Sequence, residues 1–265
     1  MCPDEGASSK LDRLLTAGVD IGVRAVKVAV LAHGARRGFP RVLASEIVSV
    51  AGRHHPGDAQ LAVREGWWRS LRSAGLTPAD IALVASTGQA WAVLAQVGHF
   101  YRSAGLTTGV RFLFPGAVAV LDIGARQIRC TRMETAILGR GYVATPPGEC
   151  WGSDLLVTLL RSTAAYDGLA ARASDLVGVL SIDGPVAIAG AVASDPTFLG
   201  ILARQLSDAR SKAVLLSSSE GVFAGAYGAA LLAARRFRRA TIARRQQQSE
   251  APPLPPASLR RPFLN

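Results

Sequence analysis

Two acidic residues stand in the same short pattern in the two halves of the sequence. The segment from Asp20 to Lys27 and the segment from Asp122 to Arg129 share the pattern Asp-Ile-Gly-x-Arg-x-(Val/Ile)-(Lys/Arg). Each copy is preceded by an apolar stretch and followed by another. One Asp-x-Gly carries little information, whereas two copies with the same flanks indicate an internal duplication. The alternative, two ordinary hairpins with glycine at the turn, stays open at this point.

The residue types in this pattern are those of a site for a phosphate and its metal. An aspartate at the end of a buried strand, followed closely by glycine, places a carboxylate beside a turn whose backbone can approach a ligand. The backbone N–H groups of such a turn form a concavity that suits phosphate. Because a carboxylate repels phosphate, Asp20 and Asp122 would act on a Mg²⁺ ion, through water. We therefore predict that these two aspartates are the catalytic and metal-binding residues.

The two turns, facing each other across a cleft, would hold a polyphosphate from both sides. A third element is then needed for the base, and the strand ending in Ala189-Gly190-Ala191 fits, since small residues let a flat adenine or ribose lie against the backbone. The nucleotide-binding residues predicted on these grounds are Gly22, Val23, Arg24, Lys27, Gly124, Ala125, Arg126, Gly190 and Ala191.

The elements that must position these residues alternate between strands and helices. A hairpin of strands 17–22 and 25–32 has a tight loop at 22–24. Further strands are predicted at 42–50, 81–86, 117–123, 127–134, 136–142, 185–189 and 213–216, and helices at 58–74, 90–101, from Ser153 or Asp154, at 196–206 and at 225–243. In the helix at 58–74, Asp58 is the predicted N-cap, and the predicted buried face is Leu61, Trp67, Trp68 and Leu71. The alternation favours an α/β fold.

Length and composition set the domain organisation. With 265 residues and 49% hydrophobic residues, the chain is a folded protein with one large domain or two small lobes. We expect a flexible leader at 1–13, lobe I at 14–115, lobe II at 116–243 and a disordered basic, proline-rich tail at 244–265. No apolar run approaches the ~20 residues of a membrane helix, so no membrane partner is expected. Three scattered cysteines agree with a cytoplasmic location.

The net charge of +11 raises the question of a nucleic-acid partner. Much of the excess lies near the C-terminus, in Arg235, Arg236, Arg238, Arg239, Arg244, Arg245, Arg260 and Arg261. The rest of the chain is only mildly basic. We therefore do not expect nucleic-acid binding by the body, and a basic tail that touches acidic partners is the more plausible interpretation.

These elements, in this order, resemble the superfamily of acetate and sugar kinases, heat-shock chaperones and actin. Within it the sequence is most similar to the BadF/BadG/BcrA/BcrD-type ATPases, over about residues 18–236. Gly18 to Gly22 and Val120 to Gly124 look like the two phosphate loops, and Ala85 to Gly88 looks like an Ala-Thr-Gly strand end. Ile188 to Ala193 resembles the adenosine motif. Gly225 to Leu231 resembles the closing helix motif, which adds Gly228 to the predicted nucleotide-binding residues.

The resemblance implies a duplicated, two-lobed fold of the actin/acetate-kinase (ribonuclease H-like) type, with the nucleotide in the cleft between the lobes. It implies ATP and Mg²⁺ as ligands and a homodimer or a heterodimer with a paralogue. By the same resemblance, the partner would be a CoA-ester dehydratase or reductase, and ATP hydrolysis would drive low-potential electron transfer.

The sequence departs from the family pattern at the presumed nucleotide. Val23 and Arg24 stand where the family carries hydroxyl residues, and Ala191 replaces the second glycine of the adenosine motif. In the second loop, Ala125-Arg126-Gln127 replaces Gly-Gln-Asp. The two arginines could compensate by donating to phosphate oxygens, or they could mark a site that has lost hydrolysis.

Family activators also hold a [4Fe–4S] cluster across a dimer interface, with two cysteines from each subunit. Cys150 resembles the first of these, but the segment from Leu155 to Gly184, where the second is expected, contains no cysteine. One thiolate per subunit gives a homodimer two sulfurs instead of four, so we do not expect this chain alone to bind a cluster. Cys130 lies inside a strand pattern and is expected in the core.

Two other functions stay open. The chain could be a catalytically degenerate regulatory or scaffolding relative that pairs with an active paralogue. It could also be a small-molecule kinase of the same superfamily, similar to type III pantothenate kinases, for which Thr145 to Gly148 resembles a Pro-Gly substrate loop.

Overall fold

The computed structural model describes residues 14–34, 39–50, 56–89, 98–125, 128–133 and 163–250. Within these ranges the chain forms two mixed β-sheets, each packed against α-helices. The alternation of strands and helices predicted from the sequence is therefore confirmed, as is the α/β class of the fold.

The first sheet contains the hairpin that carries the first Asp-Ile-Gly copy. Its strands are β1 (Leu14–Ile21), β2 (Ala25–His33), β3 (Arg41–Ser49), β4 (Leu83–Gly88) and β5 (Gly98–His99). The order across the sheet is β3-β2-β1-β4-β5; β2 is antiparallel to both neighbours, and β4 is parallel to β1 and β5. Strands β1 and β2 are buried over most of their length, as near-continuous apolar runs require.

The second sheet repeats this arrangement around the second copy. Its strands are β6 (Ala119–Ile123), β7 (Ile128–Arg132), β8 (Gly184–Gly190) and β9 (Ala213–Leu216), in the order β7-β6-β8-β9. Strand β6 is antiparallel to β7 and parallel to β8, as β1 is antiparallel to β2 and parallel to β4. The internal duplication predicted from the sequence is therefore a duplication of the sheet.

The duplication extends to single residues at the ends of the parallel strands. Ile21 lies beside Gly88, and Ile123 lies beside Gly190 in the same register. Both glycines have a positive φ, 92° and 95°, and a Cβ on either would collide with the carbonyl oxygen of its isoleucine neighbour. Glycine is required at both positions for the same reason, because other residues rarely adopt this backbone conformation.

Within the described ranges, five α-helices pack on the sheets. They are α1 (Pro56–Ala74), α2 (Arg102–Leu113), α3 (Thr163–Val179), α4 (Pro196–Asp208) and α5 (Ala224–Glu250). Helix α1 packs on β2 and β3, and helices α3 and α4 share the main core of the second sheet. Helix α5 packs on β1, β4 and α2, and α2 shares a buried cluster with β6 and β8. The α2–α5 pair therefore connects the two sheets.

Close contacts between small residues hold this pair together. A Cβ on Gly228 would collide with the carbonyl oxygen of Gly105, and one on Gly109 would collide with the carbonyl oxygen of Ala224. Gly18 of β1 lies in the same way under Ala226 of α5. Backbones at this distance leave no room for larger side chains, so the packing depends on glycine at each position.

The buried face of α1 differs from the predicted one. The helix begins at Pro56, so Asp58 lies in its first turn and is not the N-cap. Leu71 is buried as predicted, but Leu61 and Trp68 are 54% and 52% exposed, and the buried residues beside Leu71 include small ones such as Ala59 and Ala62. The helix lies so close to the sheet at one point that a Cβ on its Gly66 would be 2.9 Å from a Val28 methyl, so this position of the face requires a small residue.

The helix predicted at 90–101 is also wrong in part. Residues 90–97 lie outside the described residues, Gly98–His99 forms strand β5, and the unpredicted α2 follows from Arg102. Glycines at two positions of α2 lower its intrinsic helix propensity, and the packing against α5 compensates. The strand predicted at 136–142, the loop at 145–148 and the helix start at 153 or 154 lie outside the described residues.

The C-terminal part departs from the predicted division of the chain. Helix α5 continues to Glu250, beyond the predicted end at 243, so residues 244–250 are helical. The helix also packs on the first sheet, although the predicted boundaries place it in lobe II. Residues 251–265 lie outside the described part of the chain. No described helix combines the length and the apolar character needed to span a membrane.

Candidate functional site

A cavity of about 280 Å³ opens where the two Asp-Ile-Gly copies come together. The predicted site residues that line it are Asp20, Gly22, Val23, Arg24, Lys27, Asp122, Gly124, Ala125, Gly190 and Ala191. Gly228 is not among the lining residues and lies in the contact between α2 and α5, while Arg126 is outside the described residues. The two copies, far apart in sequence, therefore contribute to one site.

The Asp20 carboxylate lies at the end of β1, where α5 closes against it. Its Oδ2 is 3.6 Å from Lys27 Nζ on the neighbouring strand. A Cβ on Gly225, in the first turn of α5, would lie only 2.8 Å from the Asp20 Cγ, so only glycine leaves room for the acid.

The other oxygen of this carboxylate has a different environment. Asp20 Oδ1 is buried and accepts no hydrogen bond within the described residues, and the residue as a whole is only 7% exposed. A buried acceptor without a donor is costly, and a bound cation or a water molecule would satisfy it. The residues present at Asp20 thus fit a Mg²⁺ ion held through water. No group of three or more metal-binding side chains occurs among the described residues.

The Asp122 carboxylate lies at the equivalent position of β6 and has a different partner. Arg102 Nε donates to Asp122 Oδ2 at 3.1 Å, and Arg102 Nη2 donates to Oδ1 at 3.3 Å. The Asp122 side chain is 4% exposed and that of Arg102 is 26% exposed. Two parallel bonds between a guanidinium and a carboxylate form one of the stronger ion pairs in proteins.

The negative charges of both aspartates affect the pKa of Arg102. The charge of Asp122 raises the pKa of the Arg102 guanidinium, burial opposes this, and Asp20 adds to the rise. Sequence reasoning missed this residue because it lies directly after a segment predicted as a helix. An arginine at a helix N-terminus, where the helix dipole disfavours a cation, is the signal that could have found it.

The charges that line the cavity have a positive excess. Arg24, Lys27 and Arg102 line the cavity together with the two carboxylates of Asp20 and Asp122. Arg129 lies opposite Asp122 in the hairpin of β6 and β7, and burial and the charge of Arg102 lower its pKa. The N-terminal turns of α2 and α5 also border the cavity, and helix N-termini favour anions. The described site therefore suits an anionic ligand such as a polyphosphate.

The two cysteines singled out in the sequence have different outcomes, and a histidine lies on the first sheet's edge strand. Cys130 is fully buried in β7, as expected, and burial raises the pKa of its thiol to about 12, which keeps it protonated at neutral pH. Cys150 lies outside the described residues. His99 lies on strand β5 instead of a helix end, and its Nδ1 is 3.0 Å from Ser86 Oγ.

Comparisons with known proteins agree with this geometry. No family model matches the chain. The chain is 30% identical over 200 residues to one of the subunits of benzoyl-CoA reductase from Thauera aromatica, an alignment that covers 73% of this chain and 65% of that protein. This chain thus spans less than two thirds of the length of that relative.

Two solved structures share its fold. Component A of (R)-2-hydroxyglutaryl-CoA dehydratase from Acidaminococcus fermentans has a TM-score of 0.64 at 17% identity, covering 85% of this chain and 99% of that one. The activator of 2-hydroxyisocaproyl-CoA dehydratase from Clostridium difficile, solved with bound ADPNP, also has a TM-score of 0.64, at 18% identity, covering 88% of this chain and 98% of that one.

The duplicated sheets and the cleft at their strand ends define the fold of the actin-like ATPase superfamily. The chain is also a homologue of the benzoyl-CoA reductase protein from Thauera aromatica, at 30% identity. The resemblance to the BadF/BadG/BcrA/BcrD-type ATPases stated from the sequence motifs is therefore confirmed.

Proposed function

We propose that this chain binds Mg-ATP in the cleft between Asp20 and Asp122 and hydrolyses it to drive a partner enzyme that acts on a CoA ester. The observation that carries the proposal is that both duplicated aspartates and both Asp-Ile-Gly turns line one cavity. The homology to a component of benzoyl-CoA reductase and the fold shared with a dehydratase activator that binds ADPNP support the same function.

The phosphates would lie between the turns at Gly22 and Gly124. Arg24, Lys27 and Arg102 supply the positive charge that phosphoryl transfer requires, because this chemistry depends on positioning and charge neutralisation. The adenosine would lie against Gly190 and Ala191, where the small side chains leave the end of β8 open to a flat ligand. A cavity of about 280 Å³ is just below the usual range for small-molecule sites, so only part of the nucleotide would fill it.

Asp20 is the residue that would hold the metal. Its Oδ1 is the buried acceptor without a donor in the described part of the chain, and its Oδ2 faces Lys27. A Mg²⁺ ion held there would neutralise phosphate charge. Asp122 would orient the attacking water from the opposite lobe.

The same residues link the nucleotide to the rest of the molecule. The first turn of α5 contacts Asp20 through Gly225, and the following turns pack on β1 and α2. Nucleotide bound at Asp20 would therefore act on the helix pair that connects the lobes, and lobe closure would carry the nucleotide state to the partner. We further propose low-potential electron transfer in that partner, and a dimer of this chain or with a paralogue.

Phosphate release from Mg-ATP by the purified chain tests the proposal. We expect Asp20→Asn and Asp122→Asn to lower turnover roughly 100-fold or more, because each removes a charge that positions metal or water. Asp183→Asn is the matched control, since Asp183 is exposed and pairs only loosely with Lys212 at 3.8 Å. Equal rates for the wild type and both cleft variants would contradict the proposal.

One observation favours a second candidate. The ion pair between Arg102 and Asp122 occupies a carboxylate that an ATPase would use, as expected for a regulatory relative that binds nucleotide without turnover. Such a protein would bind ATP with measurable affinity and release no phosphate, so a binding titration beside the turnover assay separates the two candidates.

A further inference from the structure

Arg102 occupies an unusual position for an arginine. It is the first residue of α2, and the N-cap residue of this helix, Tyr101, makes no side-chain capping hydrogen bond. The dipole of a helix favours an anion at this end and disfavours a cation. The guanidinium is held here by the charge of Asp122, so the helix end and the guanidinium would together attract any anion that enters the cleft.

The guanidinium retains donors for such an anion. Its contacts within the described residues use Nε and Nη2, both directed at Asp122. A guanidinium has five N–H donors, and about a quarter of this side chain is exposed where it borders the cavity. Arg102 can therefore contact Asp122 or a ligand, depending on what the cavity contains.

We propose that Arg102 is a catalytic residue that contacts the terminal phosphate of ATP, exchanging Asp122 for this phosphate when the nucleotide binds. The proposal rests on the proposed function. A phosphate group carries more negative charge than a carboxylate and accepts the same bidentate bonds, so it can compete with Asp122 for the guanidinium. It neutralises the phosphate and releases Asp122 at the same moment.

The released carboxylate then has a role in the reaction. Asp122 accepts a hydrogen bond from the attacking water, whose oxygen bonds to the γ-phosphorus as the bond from that phosphorus to the bridging oxygen breaks. The products are ADP and inorganic phosphate, and the proton of the water passes through Asp122 to the phosphate. Without ATP, Arg102 binds Asp122. The Asp122 carboxylate is therefore free to bind the attacking water only when the terminal phosphate is present.

The packing of α2 defines which part of Arg102 moves. The helix is fixed against α5 by the backbone contacts of Gly105 and Gly109. The exchange therefore requires rotation of the Arg102 side chain and no shift of the helix.

Binding titrations on the full chain test the assignment without relying on turnover. Mg-ADP and a Mg-bound non-hydrolysable ATP analogue are titrated into the wild type, Arg102→Ala and Arg102→Lys. We expect Arg102→Ala to weaken the analogue roughly 10- to 100-fold with little change for ADP, since a bidentate charge-assisted contact is lost. Arg102→Lys keeps the positive charge without the bidentate geometry of the guanidinium. Its affinity for the analogue should therefore lie between those of the wild type and Arg102→Ala. Arg111→Ala on the same helix, outside the cavity lining, is the matched control and should bind like the wild type.

Specific outcomes overturn the assignment. Two binding results would overturn it: an unchanged affinity of Arg102→Ala for the analogue, or an equal loss of affinity for both nucleotides. Faster phosphate release by Arg102→Ala would also overturn it, because this would show that the ion pair only blocks the site. If Arg102→Ala does not fold, Arg102→Ala with Asp122→Asn removes the stranded buried charge and takes its place in the titration. A wild type that binds neither nucleotide would refute the proposed function itself, and the assignment with it.

Discussion

The two aspartates of the duplicated pattern have the same backbone setting and different side-chain partners. Asp20 lies 3.6 Å from Lys27 and keeps a buried oxygen without a donor in the described residues, whereas Arg102 binds Asp122 with two hydrogen bonds. An identical motif therefore gives one acid suited to a metal-bound water and one acid controlled by an arginine. The difference comes from the elements that pack against each acid, α5 on one side and the start of α2 on the other.

A buried histidine beside helix α5, His33, gives a prediction about the pH dependence of stability. His33 Nε2 is 2.8 Å from Thr16 Oγ1, which donates to the carbonyl oxygen of Ala230 at 2.8 Å, so the ring must be the donor to Thr16. Burial, with a contribution from Arg238, lowers the pKa of His33 to about 4. The unfolded chain binds this proton at a pH near 6.5, so the contribution of His33 to stability is complete above that pH and is lost as the pH falls towards 4.

We expect the protonation of His33 to lower the free energy of unfolding by about 2 kcal/mol when the pH falls from 7 to 5. Urea unfolding at several pH values measures it. In His33→Gln, whose amide can still donate to Thr16, that part of the pH dependence should disappear. Parallel stability curves for the wild type and the variant would show that His33 does not titrate as described.

At the scale of elements, the packing contact between α2 and α5, called here the helix seam, determines which residues of the two helices line the cavity. Arg102 begins α2 and Gly225 lies in the first turn of α5, and both line the cavity. The helices meet through Gly105, Gly109 and Gly228, so their backbones are in contact. Gly228, predicted to bind nucleotide, contributes in the structure by allowing this approach.

We expect Gly228→Ala to destabilise the protein by about 3 kcal/mol or more, because the added Cβ would overlap the Gly105 carbonyl oxygen and the helices would have to separate. Gly168→Ala in α3 is the control, since a Cβ there meets nothing within 4 Å and the helix gains propensity. Urea unfolding midpoints compare the two variants. A Gly228→Ala protein as stable as the wild type would show that the helix seam is looser than described.

At the scale of the whole molecule, both lobes contribute residues to the lining of one cavity. The first sheet provides Asp20 and its turn, the second provides Asp122 and Gly190, and the α2–α5 pair joins the sheets. The exposed C-terminal half of α5 extends beyond this core and carries six arginines at positions 235–245. Six of the 30 lysines and arginines of the chain therefore lie on the C-terminal part of one helix.

A ligand that contacts both lobes should stabilise the whole fold. At about 100 times its dissociation constant, the Mg-bound ATP analogue should add about 2.7 kcal/mol to the free energy of unfolding. Thermal unfolding with and without the analogue measures this as one transition at a higher temperature. Asp20→Asn, at the same analogue concentration, should show a smaller shift. Stabilisation of one lobe only, seen as two separate transitions, would contradict a shared site.

The sequence by itself determined the duplication, the hairpins and the position of each aspartate at a strand end. These features depend on local patterns, namely apolar runs that form buried strands and glycines that form the turns, so they can be read from neighbouring residues. The positions of β1 and β2, β8 and β9 were predicted within a few residues for the same reason.

Only the tertiary structure decided the partner of each acid, the buried face of α1 and the role of Gly228. Each depends on which backbone lies within a few ångströms, and that distance is determined by elements far away in the chain. Helix α1 buries small residues such as Ala59 and Ala62 beside Leu71, whereas Trp68 is half exposed, so the spacing of large apolar residues alone does not identify its buried face. Arg102 acquired its place in the cleft in the same way, because the packing of α2 against α5 carries it to Asp122.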